Sequence, residues 1–241
     1  MLIRHGTDRP TILDHYLAYS LAFIAGALNT AGFYSLGFFS ANMTGNISTG
    51  ADRIALGDLF SGTVYLLLPV AFTLGATFAT LAVEIGLRRG VTRIFAFSIL
   101  SEAMLLLLLA IVDMLDNSRV MVLVLGLSGL MGFQNAIVTR ISNWRVRTTH
   151  VSGMSTDIGI GIGLLITMFT RGEQSESCAG HVERLRLHSV TVVAFCVGGI
   201  LGVVAYKSLG GILLIIVAAL LAMVALPSAL RRPKPPATAS E

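Results

Sequence analysis

The chain has 241 residues, of which 54% belong to the apolar set and only 12% are charged, and its formal net charge is +4. An average soluble domain is about a quarter charged, so a soluble fold is excluded and an all-α membrane protein with short loops is expected. The basic balance does not indicate nucleic acid, which needs a basic face on a folded surface.

In chain order, residues 1–16 form a charged segment followed by the apolar run 17–39. That run is longer than the core of a signal peptide and is expected to stay as a first span. Further apolar runs of spanning length lie near 64–86, 94–112, 120–140, 189–206 and 210–227. The stretch 153–170 is also long enough, but it holds Asp157 and three glycines at alternate positions, Gly159, Gly161 and Gly163. It is expected as a re-entrant or broken segment, which membrane depth tolerates where protein or a watery cavity satisfies the backbone. Residues 171–188 mix acids, arginines and histidines and are expected to form a cytoplasmic loop. The proline-rich end, 228–241, is expected as a disordered tail.

Charge distribution selects among topologies, because cytoplasmic loops collect Lys and Arg. Six spans with the N-terminus inside place fourteen of the seventeen Lys and Arg on the cytoplasmic side. A seventh span over 153–170 divides them nine to eight and removes the bias. Six spans in a bacterial inner membrane, both termini cytoplasmic, is the expectation. Cys178 and Cys196 fall in no metal or redox spacing and are expected as free thiols.

An internal repeat is also legible. Gly26-Ala-Leu-Asn29 and Gly132-Phe-Gln-Asn135 share a pattern, and each is followed by a polar-x-hydroxyl-Gly motif, at Asn42-Met-Thr44-Gly45 and His150-Val-Ser152-Gly153. Two units of three spans, 17–112 and 113–227, would begin on opposite sides of the membrane and so be inverted. Inverted repeats with interrupted helices recur in secondary transporters, with the binding site where the interruptions meet. That is a fold-level analogy.

The run Ala25 to Asn46, with Gly132-Phe-Gln-Asn135-Ala136 and Thr148-Thr149-His150-Val-Ser152-Gly153, resembles the YoaK-like family of bacterial integral membrane proteins over nearly the whole chain. The resemblance implies about six spans and brings no catalytic residues or substrate with it. Ser152 stands where that family more usually has Thr.

Candidate site residues follow from chemistry. Asn29 and Asn135 lie in apolar runs, where an amide tends to face the bundle interior. They serve either as interhelical hydrogen bonds or, with Gln134, as contacts to a small solute. Thr44, Asn46 and Ser152 stand at helix starts, as ordinary caps or as the rim of an anion-favouring cavity. Asp157 and Glu102 are the acids expected at membrane depth, with ion or proton coupling as the functional reading and, as the structural ones, pairing of Asp157 with Arg140 or a place for Asp157 at a wet cytoplasmic mouth. Arg140, Arg145, Arg147 and His150 read as a topology signal or a lipid-headgroup site. Gly126-Leu-Ser128-Gly129 matches an intramembrane protease motif, but the last two spans hold no His to act as base. Ser128 therefore reads as packing, and no catalytic residue, metal or cofactor is expected. Gly198-x-x-x-Gly202 and Gly75-x-x-x-Ala79 permit close helix approach, within the fold or in a homodimer. The expected function is a transporter-like permease for a small neutral or weakly anionic solute. A non-transporting scaffold or assembly factor is the alternative, and an intramembrane enzyme a more distant one.

Overall fold

A computed structural model describes residues 11–115, 120–171 and 176–230. They form eight α-helices: α1 (Thr11–Leu36), α2 (Met43–Ala55), α3 (Leu59–Arg88), α4 (Ile94–Leu115), α5 (Val120–Ile141), α6 (Val151–Arg171), α7 (Glu176–Leu209) and α8 (Ile212–Leu230). Only helices and closed barrels satisfy every backbone group in lipid, so long apolar runs without strand alternation become helices. The side chains turned outward are themselves apolar, such as Leu74, Phe78 and Leu81 on α3, as a lipid solvent requires.

The breaks between helices have local causes. α1 stops at Gly37, whose φ of 78° is open to glycine and whose N–H bonds the Phe33 carbonyl at 2.9 Å. Residues 37–42 turn back, pinned by stacked Phe33 and Phe39 rings 4.1 Å apart. The Asn42 side chain then caps α2 by accepting from Gly45 N–H. Asp58 caps α3 by accepting from Ser61 N–H, and hydrogen bonding from the Ser61 side chain first, then from its backbone, holds the Asp58 carboxyl below the usual range.

Packing uses small residues in place of a hydrophobic drive, since lipid tails are as apolar as leucine. α1 lies on α7, α3 on α5, and α4 on α8. A Cβ at Gly26 would collide with the Phe195 carbonyl, and one at Gly198 with the Phe23 carbonyl. The α3–α5 contact repeats this: position 132 meets the Phe72 carbonyl, and position 75 the Gly129 carbonyl. Gly75, Gly198 and Gly202 thus serve contacts inside the chain.

Contact order gives the helix directions. His15 lies by Glu183, Gly26 by Phe195 and Tyr34 by Tyr206, so α1 and α7 run parallel. Ser128 lies by Leu68, Gly132 by Phe72 and Arg140 by Glu84, so α3 and α5 also run parallel. Arg93 reaches the Ala229 carbonyl while Asp113 sits at Gly211, which makes α4 and α8 antiparallel.

Four expectations are corrected. Seven helices, not six, are long and apolar enough to cross a membrane. The stretch expected to be re-entrant or broken is one continuous 21-residue helix, α6. Each half of the chain therefore holds four helices, and two three-helix repeats are not what length and hydropathy give. The reason is that glycines at 159, 161 and 163 cost a helix only about 1 kcal/mol each relative to Ala, whereas an open backbone in lipid costs several per unpaired group. Most of the expected cytoplasmic loop 171–188 is also helical, because α7 starts at Glu176. At 34 residues α7 is about 51 Å long, well beyond a hydrocarbon core of about 30 Å. The expected tail lies, from residue 231 on, outside the described residues, as do most of the N-terminal segment 1–16 and the side chain of Cys178. Cys196 is free and exposed.

Candidate functional site

Two short returns of the chain build one cavity. After α1, Ala41 N–H donates to Asn29 Oδ1 at 2.8 Å, which holds the loop against the helix it has just left. After α5 the same construction recurs: Thr148 Oγ1 donates to Asn135 Oδ1 at 3.2 Å, and Asn135 Nδ2 donates to the Met131 carbonyl. α5 ends with Asn143 and Trp144 both at positive φ, 49° and 66°, and with the Trp144 N–H reaching back to the Thr139 carbonyl. Each amide therefore sets the starting point of the helix that follows its loop.

As a result the starts of α2 and α6 face one cavity. A cavity of about 590 Å³ is lined by Asn42, Thr44 and Gly45 at the start of α2, by Thr149, His150 and Ser152 at the start of α6, and by Asn29. Phe39, Phe72 and Phe195 supply apolar walls. Phe72 stands near the middle of α3, so the cavity sits at mid-depth of the bundle. Both helix N-termini carry partial positive charge, and no carboxylate is among the lining residues. Asn42 satisfies one N–H of α2, while the first N–H groups of α6 have no side-chain cap among the described residues. Asn29 is 5% exposed and uses only its oxygen, so its Nδ2 has no partner among the described residues. His150 lies between helices; burial, reinforced by nearby Arg147, holds its imidazole below the ordinary range, so it is neutral near pH 7.

The residues singled out from sequence divide. Asn29, Thr44 and Ser152 line the cavity. Asn46 is buried and donates to the Phe39 carbonyl at 2.9 Å, holding the loop under α2 rather than facing the cavity. Asn135 lines a separate groove of about 410 Å³ between α3 and α5. Gln134 points elsewhere: its Nε2 donates to Glu102 Oε1 at 2.8 Å, and both side chains are fully buried. Glu102 Oε2 and Gln134 Oε1 have no further partner among the described residues. Asp157 stands 3.6 Å from His188, and Arg140 pairs with Glu84, so the expected Asp157–Arg140 pair is not formed. Ser128 is buried and donates to the Leu68 carbonyl at 2.8 Å, tying α5 to α3.

Sequence reasoning named Asn42 and Thr149 within motifs without giving either a place at the site, and gave His150 a different role. The three phenylalanines carried no sequence signal, since an aromatic in an apolar run is ordinary. The shared element order did hold the clue to His150, because it occupies the position before α6 that Asn42 occupies before α2.

Apolar helices with lipid-facing side chains, packed through glycines round a polar mid-depth chamber, define a multi-pass membrane protein. The chain belongs to the family described as protein of unknown function (DUF1275), whose model matches residues 17–226. No curated protein and no solved structure matches it.

Proposed function

We propose that the protein is a transporter-like permease for a small neutral or weakly anionic solute, which binds in the mid-depth cavity between the starts of α2 and α6. The observation that carries this reading is that two helix N-termini face one chamber without a carboxylate. Such an arrangement favours negative charge or strong hydrogen-bond acceptors, and Asn29, Thr44 and Ser152 supply side-chain partners. Glu102 and Asp157 are proposed for ion or proton coupling on the ground that intramembrane carboxylates are seldom retained without a role. Neither lines this cavity; coupling would act through helix packing for Glu102 and from the neighbouring cavities for Asp157, which lines two of them.

Helix directions support a particular depth for α6. α1 and α7 run parallel, as do α3 and α5. With α2 too short to cross at 13 residues, α3 and α5 run opposite to α1, and α7 opposite to α5. α6 then starts at the cavity and runs on in the direction of α5. A bacterial inner membrane with both termini on the cytoplasmic face fits this reading and the Arg distribution.

The test is flux into proteoliposomes across a panel of small acids, inorganic anions and neutral polar solutes, following a thermal-shift screen of the purified protein. Asn29→Ala and Ser152→Ala, correctly inserted, are expected to lower flux of an identified solute about tenfold each, the equivalent of one hydrogen bond. Full flux in both variants, or no thermal shift and no flux with any solute, overturns the proposal.

A further inference from the structure

The mid-depth cavity is not isolated. His150 lines it and also lines two others, of about 260 Å³ and about 410 Å³. The smaller shares Trp144, Arg145, Asp157, Leu187 and His188 with a fourth, of about 390 Å³. That fourth cavity lies at the end of the bundle where Arg145 pairs with Asp14 at 3.0 Å and His15 faces Glu183 at 3.8 Å. Three cavities therefore lie in series from the middle of the bundle to one end, adjoining at His150 and again along Trp144, Arg145, Asp157, Leu187 and His188. The lining changes along the way. The inner chamber holds amides, hydroxyls and aromatic rings, and the outer ones hold charges of both signs. Polar lining of this extent inside a helical membrane protein is costly to bury without water, so a hydrated passage accounts for it better than packing does. The 410 Å³ groove branches off between α3 and α5, lined there by Ala76, Gly132 and Ala136.

We infer that this series of cavities is the route by which small polar solutes pass between the mid-depth chamber and the Trp144–Arg145 end of the bundle, with the His150 side chain at its narrow junction. His150 is the specificity-determining contact on that route: every solute entering the chamber from this end passes its imidazole. The identity of the solute rests on the permease reading; the route does not, and its test needs no solute.

The test is thiol accessibility in membrane vesicles of both orientations, in a background with Cys178→Ser and Cys196→Ser. Ser152→Cys reports the chamber and Asn143→Cys reports the mouth. With a small membrane-impermeant sulfonated methanethiosulfonate, both are expected to react from the same face. Adding His150→Trp is expected to slow the Ser152→Cys reaction at least tenfold while leaving Asn143→Cys unchanged. Met154→Trp, on the wall of the 260 Å³ cavity, is a second plug with the same expectation, and gel-filtration profiles identify any variant that has lost its fold. Reaction of Ser152→Cys only from the opposite face, no reaction where Asn143→Cys reacts, or no slowing by either folded plug overturns the route. Labelling as expected without flux of any solute overturns the permease reading and leaves the route standing. Flux without labelling does the reverse.

Discussion

Gly132→Ala sets the α3–α5 contact against helix propensity with opposite signs. In an exposed helix interior, replacing Gly by Ala stabilises by about 1 kcal/mol. At position 132 the added Cβ would lie closer to the Phe72 carbonyl than any real Cβ contact, and the obstacle is backbone, which has no rotamer to change. Overpacking costs about 1–3 kcal/mol, and a backbone obstacle argues for the upper end, so the net loss is about 2 kcal/mol. Gly26→Ala meets the Phe195 carbonyl in the same way at the α1–α7 contact and should lose a similar amount. Gly159→Ala and Gly163→Ala are the matched controls, since nothing lies within 4 Å of an added Cβ at either. They should gain about 1 kcal/mol, which separates the two pairs by roughly 3 kcal/mol. The assay is reversible unfolding of purified protein in mixed micelles of increasing SDS fraction. Gly132→Ala at or above the parent's stability, or equal losses in all four variants, would refute the account of helix packing given above.

Two further outcomes follow from single side chains. Ser128→Ala removes the buried bond to the Leu68 carbonyl and should cost about 0.6 kcal/mol, the usual size of such contacts in membrane helices; the same unfolding titration measures it. His150 is held below its ordinary value of about 6.5, so above that pH the imidazole is neutral in both states and its contribution to stability is fully present. As pH falls below about 6.5 the unfolded chain takes up the proton first, and stability declines until the folded-state value is passed. His150→Gln should remove that part of the acid sensitivity, and a parent and variant with identical pH profiles between about 7 and 5 would rule it out.

What was legible in the sequence follows from which constraints are local. Hydropathy located α1, α3, α4, α5, the second half of α7 and α8 because lipid acts on each helix separately. The small-residue spacings at Gly75 and Gly198 located helix contacts, because only small residues permit them. The recurring Asn pattern located two equivalent loop anchors, yet their outcomes differ. Asn29 keeps an amide nitrogen for the cavity, whereas Asn135 spends both ends of its side chain on Thr148 and Met131. Nothing in either motif distinguishes them, since the difference lies in what the following loop offers. Gln134 was misassigned for a related reason: it adjoins Asn135 in sequence, but one residue along a helix turns a side chain by about 100°, here toward Glu102. The continuity of α6 was missed because glycine and aspartate mark loops in water, while in lipid the backbone's need for partners outweighs them. Length, in turn, marked α6 as a span, and only the directions of its neighbours bear on how deep it starts.

The pairing of α1 with α7 has a consequence for biogenesis. Thr30 on the first helix donates to the Gly199 carbonyl, a partner 169 residues later in the chain. At a synthesis rate of about 5–20 residues per second, the first helix waits roughly ten to thirty seconds for its main neighbour. During that time the face bearing Gly26 and Thr30 is open to lipid or to whatever attends the nascent chain. The bundle closes only when nearly all of the protein has emerged, so a ribosome stalled before α7 would release a chain whose chamber has one wall missing.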